Sequence, residues 1–332
     1  METTSPGDGD EYRRRSYRNW QSAAAGWERE RDAVQAALGP LTDWMIAHLA
    51  PGPGQTLVEL GAGTGETGLL AARLVEPGGR VILTDRSTAM LAAAERRAAE
   101  LGIRNVEVRE LDMEAIDLPD GVADGALSRL ALMLVPDAAA ALSGVRRLLR
   151  PGGRVAVTVW DAVERNEWAP ALWAVIESMT PLPPARPGGP GMFSLGDPGR
   201  LRELFAGTGF REIAVEPIAV EWHHPDFETY WRTQSSLNGS LSQLLPTLAP
   251  DERDRLTDAV RAAMERFREG DGYRAPGSAL GVAAVARRDR VPPPCRSICA
   301  QSRATTRPQS CFPAILCGPS GSRASSLTTA AR

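Results

Sequence analysis

The chain has 332 residues, 43% of them hydrophobic, with a formal net charge of -3. That length holds one large α/β domain or two smaller ones; no apolar run approaches the roughly 20 residues that span a bilayer, and the opening METTSPGDGDEYRRRSYRNW lacks the apolar centre of a signal peptide, so a cytoplasmic protein is expected. All 38 basic residues are arginine, and residues 291–332 hold five of them with no acid, which leaves 33 bases against 41 acids elsewhere and disfavours a nucleic-acid phosphate backbone as partner.

Residues 1–11 are polar and read as loose. From Tyr12 to Leu49 the pattern is helical, with Val34, Leu38, Leu41, Met45 and Leu49 on one face and Gly39-Pro40 as the expected divide between two helices. After the loop APGPGQ an alternation begins. TLVEL, RVILTD, NVEVREL, ADGALSRL and RVAVTVW read as strands, and GETGLLAARLV, TAMLAAAERRAAEL and DAAAALSGVRRLL read as helices stopped at EPGG, Gly102 and RPGG. Strands and helices of this length in alternation predict a parallel sheet covered on both faces. Beyond Trp160 the alternation relaxes. Residues 180–200, rich in proline and glycine, read as a long loop or lid. A helix capped by Asp197 leads to the strand REIAVEPIAVEW, residues 226–270 read as mostly helical, and SALGVAAVARR is a late strand. The remaining tail has a disordered composition. It contains all four cysteines, Cys295, Cys299, Cys311 and Cys317, at spacings unlike a zinc site, so no metal is expected and the body has no thiol nucleophile.

The stretch LVELGAGTGETG carries the main functional signal. Gly61, Gly63 and Gly65 follow the first strand, where an open parallel sheet binds its ligands. A Walker phosphate loop needs a lysine, which the chain lacks. A dinucleotide fingerprint needs glycine or alanine where Glu66 stands, and a carboxylate there would repel a pyrophosphate. Asp85 ends the second strand, 20 residues after Gly65, and suits a pair of ribose hydroxyls. Asp112 follows the third strand and could accept from an exocyclic adenine amine, with Met113 beside it; Glu59 ends the first strand. Three carboxylates at successive strand ends suit a ligand bearing hydroxyls and a positive charge. Solvated acids or helix caps are the bland alternative for each one alone.

VELGAGTGETG, VILTDRSTAML, RELDMEAIDLPDG and LLRPGGRVAVTVW, in this order, resemble class I S-adenosylmethionine-dependent methyltransferases, especially the small-molecule type related to ubiquinone and menaquinone biosynthesis. The resemblance is specific over 55–160 and general over 161–290. It implies a Rossmann-like, doubly wound α/β fold with seven mostly parallel strands, the last antiparallel. The expected divisions are an N-terminal helical cap at 1–50, a cofactor-binding core at 51–160, a helical substrate lid with closing strands at 161–290, and a disordered tail at 291–332. It further implies that Glu59 and Gly61, Ala62, Gly63 and Gly65 contact the methionine portion of S-adenosyl-L-methionine. Asp85 would hold the ribose with Arg86 and Met90 flanking it, Asp112 and Met113 would read the adenine, and Ser128 would stand near the transferred methyl group.

A catalytic base, if one is used, is sought among the histidines, and His223 and His224 lie in the region expected to cover the substrate. Tyr12, Tyr17, Trp20 and Trp27, read as preceding the first helix, form either a lid or a sheet-edge cluster. The expected partner is a small molecule, with neither nucleic acid nor membrane involved, for a monomer or homodimer. Arsenite as acceptor would call for cysteines in the body. An NAD(P)-dependent oxidoreductase and a non-catalytic nucleoside-binding protein are the competing readings.

Overall fold

The alternation in the sequence becomes a single sheet in the computed structural model, which describes residues 6–179 and 189–287. The tail with its cysteines, and residues 180–188 of the expected lid, lie outside the described residues. Two helices open the fold, α1 (Pro6–Arg29) and α2 (Arg31–Leu49). The wound core follows as β1 (Thr56–Leu60), α3 (Glu66–Leu74), β2 (Arg80–Asp85), α4 (Thr88–Glu100), β3 (Val106–Glu110), β4 (Ala123–Arg129), α5 (Ala138–Leu148) and β5 (Leu149–Trp160). Then come α6 (Trp168–Met179), α7 (Pro198–Gly207), β6 (Phe210–His224), α8 (Phe227–Leu237), α9 (Gly239–Leu244), α10 (Pro250–Met264), the two-residue β7 (Arg268–Glu269) and β8 (Gly272–Ala286).

The strand order is β3-β2-β1-β4-β5-β8-β6, with β7 on β8. β1 to β5 pair in parallel, while β8 runs antiparallel to both β5 and β6. Seven long strands with the last one reversed match the expected fold, and β7 adds a short hairpin arm. Winding outward from β1 to β3 and then returning to β4 on the other side leaves a crevice at the carboxyl ends of β1 and β4, the switch point where such sheets take ligands.

Side-chain alternation divides the core between the two faces. Val58, Leu60 and Ile82 pack with Leu142 and Val145 of α5 and Phe205 of α7. Leu57, Val81, Leu83 and Leu127 pack with Leu69 of α3 and Ala94 of α4. Helix α2 lies across the sheet, and its Leu38, Leu41 and Met45 are fully buried. No helix of the described residues is long and apolar enough to cross a membrane.

Two local expectations are corrected. The helical break falls at Glu30, whereas Gly39-Pro40 lies inside α2. A proline there removes one backbone hydrogen bond, but the buried residues on both sides of it keep the helix continuous. Residues 6–11, read as loose, form the first turns of α1. The aromatic residues placed before the first helix therefore sit on it.

Leu41→Ala should lower stability by about 2–5 kcal/mol, seen as a fall in the urea midpoint. Leu70→Ala, at a residue 38% exposed, should change it by less than about 0.5 kcal/mol.

Candidate active site

The loop after β1 is shaped by three left-handed glycines, Gly61 (φ 64°), Gly63 (φ 55°) and Gly65 (φ 85°), a region costly for residues with a Cβ. Their surroundings differ. A Cβ on Gly61 would overlap Ala131, and one on Gly65 would stand 3.0 Å from the Cβ of Ala94, whereas Gly63 has open space above it. The close approach is thus partly to neighbouring chain and partly to the cleft. Strand β2 holds the loop in place. Ala62 N–H donates to the Thr84 carbonyl at 2.9 Å, and Gly63 N–H donates to Asp85 Oδ2 at 2.9 Å, while Asp85 Oδ1 accepts from Ser87 N–H at 2.8 Å.

Around this loop lies a cleft of about 1050 Å³, its open mouth included. The strand ends form its floor: Glu59 of β1, Asp85 of β2 with Arg86 and Met90 beyond it, Leu111 and Met113 after β3, and Arg129 of β4. One wall is apolar, made by Leu38 of α2 and by Leu130, Ala131, Leu134, Val135 and Pro136 after β4. The facing wall is α1, which presents Tyr12, Ser16, Tyr17, Trp20 and Trp27. These spacings return to one side of a helix.

Polar ties fix α1 over the floor. Arg13 makes a two-pronged contact with the Glu114 carboxylate, both distances 2.9 Å. Gln21 Oε1 accepts from Ser87 Oγ at 2.7 Å and Ala89 N–H at 2.8 Å. The Trp27 indole N–H donates to the Leu237 carbonyl at 2.9 Å.

Glu59 is the electrostatic centre of the floor. It is buried, and its Oε2 accepts from Gly68 N–H at 2.8 Å. Burial pushes its pKa up to about 7, against the lowering influence of the Arg129 charge and the Gly68 N–H; Asp85 and Glu66 add repulsion. Desolvation likewise raises Asp85, opposed by the N–H groups of Ser87 and Gly63. Burial lowers Arg129, opposed by the charges of Glu59 and Glu66. A positive charge placed beside these two carboxyl groups favours their ionised forms and so opposes the rise that burial causes.

Of the residues singled out in the sequence, Glu59, Gly61, Ala62, Gly63, Asp85, Arg86, Met90 and Met113 come together in this cleft. Gly65 lies just beneath the loop, as the N-cap of α3. Asp112 lines an adjoining hollow with Tyr17, Arg86 and Leu111, which also border the cleft, and its Oδ2 is 3.5 Å from Arg86 Nε. Ser128 is not brought to the cleft. It is one residue out of phase with Glu59 and Arg129, so the pleat turns it into the core, where its Oγ has no hydrogen-bond partner among the described residues.

His223 and His224 are not brought to the cleft either. His223 is exposed and pairs with Glu221. His224 is buried beside Trp222 and Tyr230, and burial, followed by the charge of His223, lowers its pKa to about 4. Sequence reasoning missed Arg129, although it ends β4 as Glu59 ends β1. It also missed the segment from Leu130 to Pro136, which has no motif. Among the described residues no cluster of His, Cys, Asp and Glu is arranged to hold a metal ion.

The raised pKa of Glu59 sets a sign for stability. An unfolded glutamate ionises near 4.5, and the folded one near 7. Its contribution is therefore most favourable below pH 4.5 and is lost as pH rises from 4.5 to 7. Glu59→Gln should remove a loss of order 3 kcal/mol across that window, measured as the difference between the pH–stability curves of variant and wild type.

Comparison with known proteins agrees with this geometry. The profile of a methyltransferase domain matches residues 51–181. Nocamycin O-methyltransferase of Saccharothrix syringae is 30% identical over 198 residues, which cover 57% of this chain and 71% of that enzyme. The ubiquinone/menaquinone biosynthesis C-methyltransferase UbiE of Escherichia coli is 36% identical over 105 residues, 31% of this chain and 42% of that one. An uncharacterized protein of Mycobacterium tuberculosis is 33% identical over 129 residues, 39% of this chain and 44% of its own length, so the chain spans less than half the length of the first curated relatives it matches. The crystal structure of the YcgJ protein of Bacillus subtilis shares the fold, with a TM-score of 0.50 at 18% identity over 74% of this chain and 98% of that one. With the glycine loop, the carboxylates at its strand ends and the likeness over most of the nocamycin enzyme taken together, the chain belongs to the class I S-adenosylmethionine-dependent methyltransferases.

Proposed function

We propose that this protein binds S-adenosyl-L-methionine in the cleft and transfers its methyl group to a small-molecule acceptor held between α1 and the segment after β4. The observation that carries this reading is the floor itself. Two carboxyl groups with raised pKa values, Glu59 and Asp85, flank a left-handed glycine loop whose Gly63 faces open space. That set suits a cationic nucleoside with free hydroxyls and opposes a pyrophosphate.

The cofactor brings a methyl group already activated by a sulfonium centre. What remains for the protein is to bind, orient and keep water out, and orientation alone can supply roughly 7–11 kcal/mol of the barrier. In this reading Asp85 accepts from the ribose hydroxyls, and Arg86 and Met90 flank the nucleoside. Met113 and the neighbouring Asp112 meet the base. Glu59 faces the positively charged amino-acid end, and Gly61, Ala62, Gly63 and Gly65 give the backbone its path beneath it. The aromatic face of α1 excludes water and favours a planar or apolar acceptor. The O- and C-methyltransferase names of the relatives support transfer to a small molecule. The acidic body and a cleft roofed by a helix argue against a nucleic acid as acceptor.

Calorimetric titration should show binding of S-adenosylmethionine and S-adenosylhomocysteine and none of NADH. Tight binding of NADH alone would overturn the proposal. Asp85→Ala should weaken S-adenosylhomocysteine by about tenfold or more, roughly 1.4 kcal/mol. Affinity for S-adenosylmethionine should rise with pH through about 7 as Glu59 ionises; Glu59→Gln should flatten that rise. His223→Ala should leave turnover within about twofold of wild type, since its side chain points to Glu221 and solvent.

A further inference from the structure

The floor of the cleft holds one positive group on β4 that the family reading leaves without a task. Arg129 lines the cleft and is braced from behind by α2. Its Nη1 donates to Thr42 Oγ1 at 3.0 Å and to Gln35 Oε1 at 3.4 Å. Thr42 is in turn 3.3 Å from Thr67 at the start of α3. Among the described residues, Nε and Nη2 have no hydrogen-bond acceptor, and no carboxylate lies within ion-pair distance; Glu59 and Glu66 act on the guanidinium only at longer range. Neither nitrogen belongs to the sealed, unpartnered atoms of the core, and Arg129 lines the cleft. Nε and Nη2 form the edge of the guanidinium that offers two parallel N–H groups, the arrangement that matches the two oxygens of a carboxylate. The Nε2 of Gln35, on the amide that braces Arg129, is a further buried donor without an acceptor. A corner with surplus donors has a desolvation cost that an anion would relieve.

We infer that Arg129 is a specificity-determining residue that pairs with an acidic oxygen group on the methyl acceptor, so that the acceptor class is an apolar or aromatic acid. This rests on the proposed function. The surfaces next to Arg129 fit such a molecule. Leu38, Leu130, Leu134 and Trp27 surround an apolar body, and the guanidinium edge receives its acid. The amino-acid end of the cofactor also carries a carboxylate. In the proposed reading the open backbone at Gly63 lies beneath that end, and a decarboxylated analogue separates the cofactor's carboxylate from the acceptor's.

The test uses the full chain saturated with S-adenosylhomocysteine, and reads quenching of tryptophan fluorescence as aryl and alkyl carboxylic acids, and their neutral amides, are titrated in. The wild type should bind acids at least about tenfold more tightly than the matching amides. Arg129→Gln should abolish that preference while keeping S-adenosylhomocysteine within about threefold, and Arg129→Lys should restore part of it. Equal binding of acids and amides by the wild type would overturn the inference. So would a loss of S-adenosylhomocysteine affinity in Arg129→Gln that disappears with a decarboxylated analogue, because Arg129 would then serve the cofactor. Should Arg129→Gln fail to fold, the wild-type preference and its weakening in Arg129→Lys decide. Failure of the wild type to bind S-adenosylhomocysteine at all would instead refute the proposed function.

Discussion

The Glu59 carboxylate, buried at the end of β1 and held by the Gly68 N–H, is the contact around which the site is arranged. It explains a glycine, Gly68, that does not line the cleft. A Cβ on Gly68 would overlap both the carboxylate and Leu83, so the first turn of α3 must be bare for the helix to settle on the strand. It also explains why the loop between them must bend back through left-handed conformations. Among the described residues Gly68 N–H is the one hydrogen-bond donor to this buried carboxyl group, and burial holds its pKa near 7. Asp85 and Arg129 face it from the strands on either side.

A second layer of contacts makes this arrangement rigid. The Thr84 hydroxyl donates to the Glu59 carbonyl at 2.8 Å, tying β2 to the end of β1, and Asp85 spans from Gly63 to Ser87. Ser87 caps α4 and also meets Gln21 of α1. The chain of contacts therefore runs from the core strand through the loop and cap to the roof. Rigid positioning of this kind is what a transfer reaction asks of a protein when the cofactor supplies the activated group.

Much of this was legible in the sequence because it is encoded locally. TLVEL and RVILTD are apolar runs bounded by glycine-rich turns, and the glycines at 61, 63 and 65 mark a loop where the backbone must turn left. Strand-end acids are read by position alone. What escaped reading depends on tertiary context. Pro40 looked like a helix break, and the buried Leu38 and Leu41 overrode it. Ser128 and Arg129 are adjacent letters, and only the register of β4 against β1, with Glu59 opposite Leu127, decides which of them faces the cleft. The two histidines stood in the right region of the chain, but the pairing of β6 with β8 turned one to solvent and the other into an aromatic cluster. The aromatic face of α1 was visible as composition, while its partner across the cleft was more than a hundred residues away.

The roof and the floor differ in how they are held. The floor is built from paired strands; the roof is one helix tied by side chains such as Arg13 to Glu114 and Arg96 to Glu28, and it joins α2 at Glu30, where the helix is interrupted. Loosening those ties shifts the roof while the paired strands of the floor stay as they are. The exposed Arg96–Glu28 pair weakens as mobile ions screen it, whereas the Arg13–Glu114 pair, with its buried carboxylate, is screened less, so added electrolyte loosens one end of the roof before the other.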